Sequence, residues 1–215
     1  MSNPAAAVTL PRHMVLGDVI PGARTRDVAL VIGGALLTAL LAQVAIDVPP
    51  SPVPITGQTL AVGLVGATLG MRRGAAALAL YALLGLFLPF YSEGESGWDV
   101  VYGASGGYII GFIFAAAFTG WLAQRQWDRK VLRSVLAFLG GSVIVFAIGL
   151  PWLAVALGAL GAPNDLNSVL QAGLYPFIIG GIVKSLLATG IMAIAWRAIA
   201  RSDAKRAASD TANPA

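Results

Sequence analysis

The sequence predicts an all-α polytopic membrane protein, with six transmembrane helices in one bundle and both termini cytoplasmic. Three observations carry this. Of the 215 residues, 57% are hydrophobic and only 11% charged, too few charges to clothe a water-soluble globule. Apolar runs recur at roughly 28–46, 58–71, 74–90, 106–124, 134–160 and 171–199, each long enough to cross a bilayer except the second. All of the fourteen Lys and Arg residues but Lys184 fall in alternate gaps between these runs or in the tails.

Residues 1–27 read as a cytoplasmic tail. Pro11, His13 and Pro21 interrupt it, and it has no apolar core followed by a small-residue cleavage site. Residues 28–199 form a single membrane domain, and 200–215 a second cytoplasmic tail. In the first run, Ala35 and Ala39 lie four residues apart and suit either internal packing or the docking of a partner helix. The gap after it places Pro49, Pro50, Pro52 and Pro54 within a few residues, which excludes a helix. The second run is too short to cross alone, so the proline segment completes the outer leaflet there. Such non-helical backbone is tolerated at membrane depth only inside protein or along a polar cavity.

Arg72 and Arg73 separate runs two and three. The next outer gap, from Phe90 to Gly107, mixes glycines with Tyr91, Trp98 and Tyr102, and with the proline segment it reads as the wall and lid of an outward-facing ligand site. Run four with its flank carries Gly103, Gly107 and Gly111, and run two with its flank carries Gly66, Gly70 and Gly74, spacings that allow close helix approach. Arg125, Arg129, Lys130 and Arg133 separate runs four and five, and Arg197, Arg201, Lys205 and Arg206 stand at the end of run six and beyond it. These gaps share one face with the basic N-terminal tail, while the opposite loops hold Asp47, Glu93, Glu95, Asp99 and Asp165 and no cation, so the basic face is cytoplasmic. Trp121, Trp127 and Trp196 fall near helix ends on that face, where amphipathic rings favour the interface.

The chemistry is narrow. Zero Cys and a single His remove disulfides, thiol chemistry and histidine-paired metal or haem sites, so no metal or cofactor is expected. The basic residues are scattered in short loops, which argues against nucleic acid and leaves membrane lipid as the surroundings. Lys184 stands inside the last apolar run with no acid within a helical turn, and a cation at mid-helix costs about 2.5–3.5 kcal/mol on insertion scales. It lies too deep to snorkel, so a partner group or an anionic ligand is expected to meet it. The Lys184-Ser185 pair lacks the glycines and strand of a phosphate loop. A Ser185/Lys184 or Ser142/Lys184 dyad would make an intramembrane enzyme, and a ligand-free scaffold is a third class, although a scaffold has no use for a deep lysine.

Several motifs in order resemble a known family. They are Pro54-Ile-Thr56-Gly-Gln58-Thr-Leu-Ala-Val, Leu69-Gly70-x-Arg-Arg73-Gly74, Leu80-Tyr81-x-x-Leu-Gly85 with Leu88-Pro89, Gly103-Ala-Ser-Gly-Gly107-Tyr108-x-x-Gly111-Phe112, Gly149-Leu-Pro151-Trp152, and Tyr175-Pro176-Phe177 with Lys184. Over about residues 28–199 the chain resembles the substrate-binding S components of energy-coupling factor (ECF) vitamin importers, and among them the biotin-specific BioY type.

The resemblance implies a protein of the cell membrane that captures biotin from outside and is not itself an enzyme. It implies a pocket built from Thr56 and Gln58 after helix 1, from Tyr91, Trp98, Ser105, Gly106, Gly107 and Tyr108 before and at the start of helix 4, from Ser142 of helix 5, and from Gly181 and Lys184 of helix 6, with the lysine facing the valerate carboxylate. It also implies docking through Ala35 and Ala39 onto a coupling membrane subunit that carries two cytoplasmic ATPases. Two positions depart from the family pattern: Gly181 stands where the family has Asp, and Ser142 follows Gly141 where Asn is usual. Both remove hydrogen-bonding capacity from the ureido end, where an unpaired group costs about 1–3 kcal/mol. Either Gln58, Asp47 or Ser105 compensates, or the ligand is a different small carboxylate-bearing vitamin.

Overall fold

Helices account for most of the described chain, and their boundaries follow its glycines and prolines. The computed structural model describes residues 15–20, 22, 24–49 and 51–212; Pro11, His13, Pro21 and Pro50, named above, and Arg12 of the basic N-terminal tail lie outside the described residues. Among the described residues there are eight α-helices: α1 (Arg24–Ala42), α2 (Gln58–Leu69), α3 (Met71–Leu84), α4 (Trp98–Tyr102), α5 (Gly106–Ala123), α6 (Val131–Ala159), α7 (Leu166–Gly173) and α8 (Tyr175–Ala212). Four of them, α1, α5, α6 and α8, are long and apolar enough to cross a membrane.

The structure corrects several expected boundaries. The separator between α2 and α3 is Gly70 alone, with φ 82° and ψ 174°, a conformation that side-chain-bearing residues rarely adopt. Arg72 and Arg73 therefore belong to the first turn of α3. That helix ends at Leu84 rather than near residue 90, because Gly85 follows and Pro89 bars its predecessor from helical conformation. At ~1.5 Å rise per residue, α2 and α3 span about 18 and 21 Å, so the third run is short as well as the second. The sixth run splits at Leu174 into amphipathic α7 and the 38-residue α8, which continues past residue 199 as one helix. Pro176 sits in the first turn of α8, where a missing N–H costs no helical bond.

The proline segment is bracketed by a two-residue antiparallel ladder, β1 (Ala45–Ile46) and β2 (Ile55–Thr56), a small exception to the all-α expectation. The ladder returns the chain to the end of α1 and delivers Thr56 and Gln58 to the start of α2.

Buried α5 forms the axis of the bundle, packed by α2, α3 and α6. The glycine ladders serve this packing. A methyl group at Gly66 would collide with the Thr119 hydroxyl and come within 2.5 Å of the Ala116 carbonyl, and one at Gly120 would strike the Gly70–Met71 backbone. Ala35 and Ala39, 0% and 6% exposed, point inward into the same core as Val65, Leu69, Ala77 and Tyr81. This corrects the docking face expected for them, since the outward side of α1 is instead Ile32, Leu36 and Leu40. At the basic end, Arg73 donates to Asp27 (2.9 Å) and to Asp18 (2.5 Å) and so ties α3 to α1 and to the turn Leu16–Val19. There Arg125 and Arg129 lie over the rings of Trp121 and Trp196 at 3.8 and 4.3 Å, pairings suited to a wet interface.

Candidate functional site

Where β2 passes into α2, side chains and backbone form a connected polar strip. The Thr56 hydroxyl donates to Gln58 Oε1 at 2.6 Å, and Gln58 Nε2 donates to the Tyr81 hydroxyl at 2.5 Å, which fixes the amide's orientation. From the facing α8, Lys184 Nζ donates to the Thr56 carbonyl at 2.5 Å and to Thr59 Oγ1 at 3.2 Å. The partner expected for the lysine is therefore a backbone carbonyl with a hydroxyl, both neutral, so its positive charge is solvated by dipoles without being cancelled.

Above this strip lies a cavity enclosing about 680 Å³ of space, part of it open to solvent. Eight of the expected ligand residues line it: Thr56, Gln58, Tyr91, Ser105, Tyr108, Ser142, Gly181 and Lys184. Tyr91 is fully buried, donates to the Ala82 carbonyl at 2.7 Å and stands edge-on to Tyr81; burial raises its pKa, so it stays a neutral donor. Tyr108 donates to the Gly173 carbonyl at 3.0 Å and meets Phe146 and Phe177 at ring separations of 6.3 and 6.4 Å. These three rings form an apolar wall opposite the polar strip.

Three expected residues are placed elsewhere. Trp98 is 54% exposed and stacks on Tyr102 at 5.7 Å on α4, outside the cavity lining. Gly106 and Gly107 are packing positions, where a side chain would collide with the Val101 carbonyl and with Trp152. The structure adds Thr59, Ser92, Phe112, Phe146 and Phe177 to the lining. Most of these follow by helical spacing from residues already singled out: Phe177 and Gly181 lie seven and three positions before Lys184, Phe146 four after Ser142, and Phe112 four after Tyr108. Ser92 carried no such signal, because its loop position is set by the turn Ser92–Gly94.

The catalytic alternative has no geometry behind it. Ser185 donates to the Gly181 carbonyl at 2.8 Å and Ser142 to the Phe138 carbonyl at 3.2 Å, so neither hydroxyl is engaged by the lysine. Among the described residues no cluster of three or more His, Cys, Asp or Glu side chains could hold a metal.

A bundle of apolar helices enclosing an aromatic cavity with one lysine on its floor defines a membrane protein that holds a small ligand. The chain belongs to the BioY family, whose family model matches residues 12–201. It is 34% identical over 176 residues to the biotin transporter BioY of Rhizobium etli, covering 76% of this chain and 89% of that one. It is 32% identical over 164 residues to the biotin transporter BioY2 of Lactococcus lactis, covering 76% and 86%. Among solved structures, the S-component for biotin from an ECF-type ABC transporter superposes with a TM-score of 0.71 at 22% identity, over 82% of this chain and 95% of that one, which establishes a shared fold.

Proposed function

We propose that this chain takes up biotin across the cell membrane as the ligand-binding S component of an ECF-type importer. The observation that carries the reading is Lys184 on the cavity floor, an ammonium held by neutral dipoles beneath an apolar, aromatic chamber. The bicyclic ring suits Tyr108, Phe146 and Phe177, and the carboxylate suits the uncancelled charge. On this reading α1, α2, α3, α5, α6 and α8 are six crossings of a multi-pass domain over 28–199, with tails 1–27 and 200–215 on the cytoplasmic side. The cavity then opens outward. A coupling membrane subunit with two ATPases supplies the energy, docking on an outward helix face rather than on Ala35 and Ala39.

The test is equilibrium binding of labelled biotin to detergent-purified protein and to Lys184→Met, which keeps the stem and removes the charge. The parent is expected to bind, and the variant to stay folded and lose about 2–5 kcal/mol, as for truncating one partner of a buried charge pair. Equal binding by both would make the lysine structural. Gly181 supports a second reading, a different small carboxylate-bearing vitamin, and in that case labelled biotin does not bind while another small carboxylic acid stabilises the folded protein against heat.

A further inference from the structure

We infer that Thr59 is the second half of the acid-recognition site, and that its hydroxyl together with Lys184 selects a free carboxylate over its neutral derivatives. This rests on the reading of the cavity as a site for a carboxylate-bearing ligand.

The argument is a count of protons. A lysine ammonium has three donors, and here two are taken, one by the Thr56 carbonyl and one by Thr59 Oγ1. One N–H remains. The Thr59 hydroxyl accepts from the lysine, and among the described residues no protein acceptor takes its own proton, so one O–H remains beside it. Lys184 and Thr59 both line the ligand cavity, and both also line a smaller cavity of about 370 Å³ beneath it. The pair thus stands at a waist with space on either side and is not sealed in protein.

Two adjacent donors, one of them charged, match the two oxygens of one carboxylate. An amide would turn N–H against N–H, and an ester would bring no charge to meet the ammonium. A dianionic phosphate would leave charge uncompensated in an apolar chamber. Elsewhere in the strip the Thr56 hydroxyl gives its proton to Gln58, and Gln58 spends one N–H on Tyr81 and keeps one, a neutral donor without the ammonium's charge. Thr59 also sits in the first turn of α2, whose N-terminal N–H dipoles favour negative charge.

The experiment compares parent, Thr59→Val and Thr59→Ser for binding of biotin, biotinamide and biotin methyl ester. Thr59→Val keeps the shape and removes the hydroxyl. It is expected to weaken biotin about tenfold or more while leaving amide and ester within about twofold, the size of one charge-assisted hydrogen bond. Thr59→Ser is expected to keep the parent's discrimination. Equal losses for acid and neutral forms, or no loss at all, would overturn the inference and leave Thr59 a packing residue. Should the parent bind no form of biotin, thermal stabilisation by a panel of ring-bearing monocarboxylic acids separates the two claims. A Thr59-dependent shift with another acid removes biotin and keeps the pair, and no shift with any acid removes the pair as well.

Discussion

Gly181 is the residue at which the departure expected from the family resemblance can be measured. A side chain built there meets nothing within 4 Å, and position 181 lies on the cavity wall three residues before Lys184. An Asp at this position therefore has room and can accept N–H bonds from a ureido group. Gly181→Asp is expected to tighten biotin by about 1.5–3 kcal/mol, less the cost of burying the carboxylate. Titration calorimetry with biotin and its methyl ester checks this: tightening of both forms marks a gained ureido contact. Loss confined to the acid instead marks an aspartate that neutralises Lys184. The lysine was legible in the sequence because a lone cation in an apolar run demands a partner. What was not legible was that its partners would be the Thr56 carbonyl and Thr59, since backbone acceptors carry no residue label. Trp98 shows the converse, an aromatic residue in the right loop that a single turn of α4 turns outward.

At the scale of elements, glycine content misleads until contacts are known. Gly120 and Gly190 both sit inside apolar helices, yet a methyl group at Gly120 would strike the backbone of the α2–α3 turn, while one at Gly190 meets nothing within 4 Å. Gly120→Ala is expected to destabilise by about 1–3 kcal/mol through overpacking. Gly190→Ala is expected to be neutral or to stabilise by up to about 1 kcal/mol from helix propensity. Thermal unfolding in detergent distinguishes them, and equal melting temperatures would refute the packing assignment. Helix existence was readable from hydropathy, but ends were not. The first turn of α3 contains two arginines that a hydropathy reading assigns to a loop: Arg73 is accommodated because the basic end of the bundle supplies Asp18 and Asp27, and Arg72 is exposed. Ala35 and Ala39 had the spacing of a docking face. Which side of α1 they occupy depends on its rotation about its axis, and that is set by α2 and α3.

At the scale of the whole molecule, cation asymmetry predicts orientation with no reference to the fold. The chain has no cysteine, so single cysteines report cleanly. Ser96→Cys and Asn167→Cys are expected to react with an impermeant thiol reagent in intact cells, and Lys130→Cys and Ser202→Cys only after permeabilisation. The reverse order would place the cavity mouth on the cytoplasmic side and end the uptake reading.

The length of α8 has a mechanical consequence. Thirty-eight residues extend about 57 Å at ~1.5 Å per residue, nearly twice the ~30 Å of a hydrocarbon core. One continuous helix thus carries both Lys184 and an arm longer than a hydrocarbon core requires, with about 42 Å between the lysine and Ala212. The acceptors that hold the lysine, Thr56 and Thr59, belong to β2 and α2 and do not travel with that helix. A stroke of about an ångström at the lysine carries a hydrogen bond past its useful range. The lysine's hydrogen bonds therefore join two elements, and leverage on the distal arm of α8 acts directly on the ligand anchor proposed above.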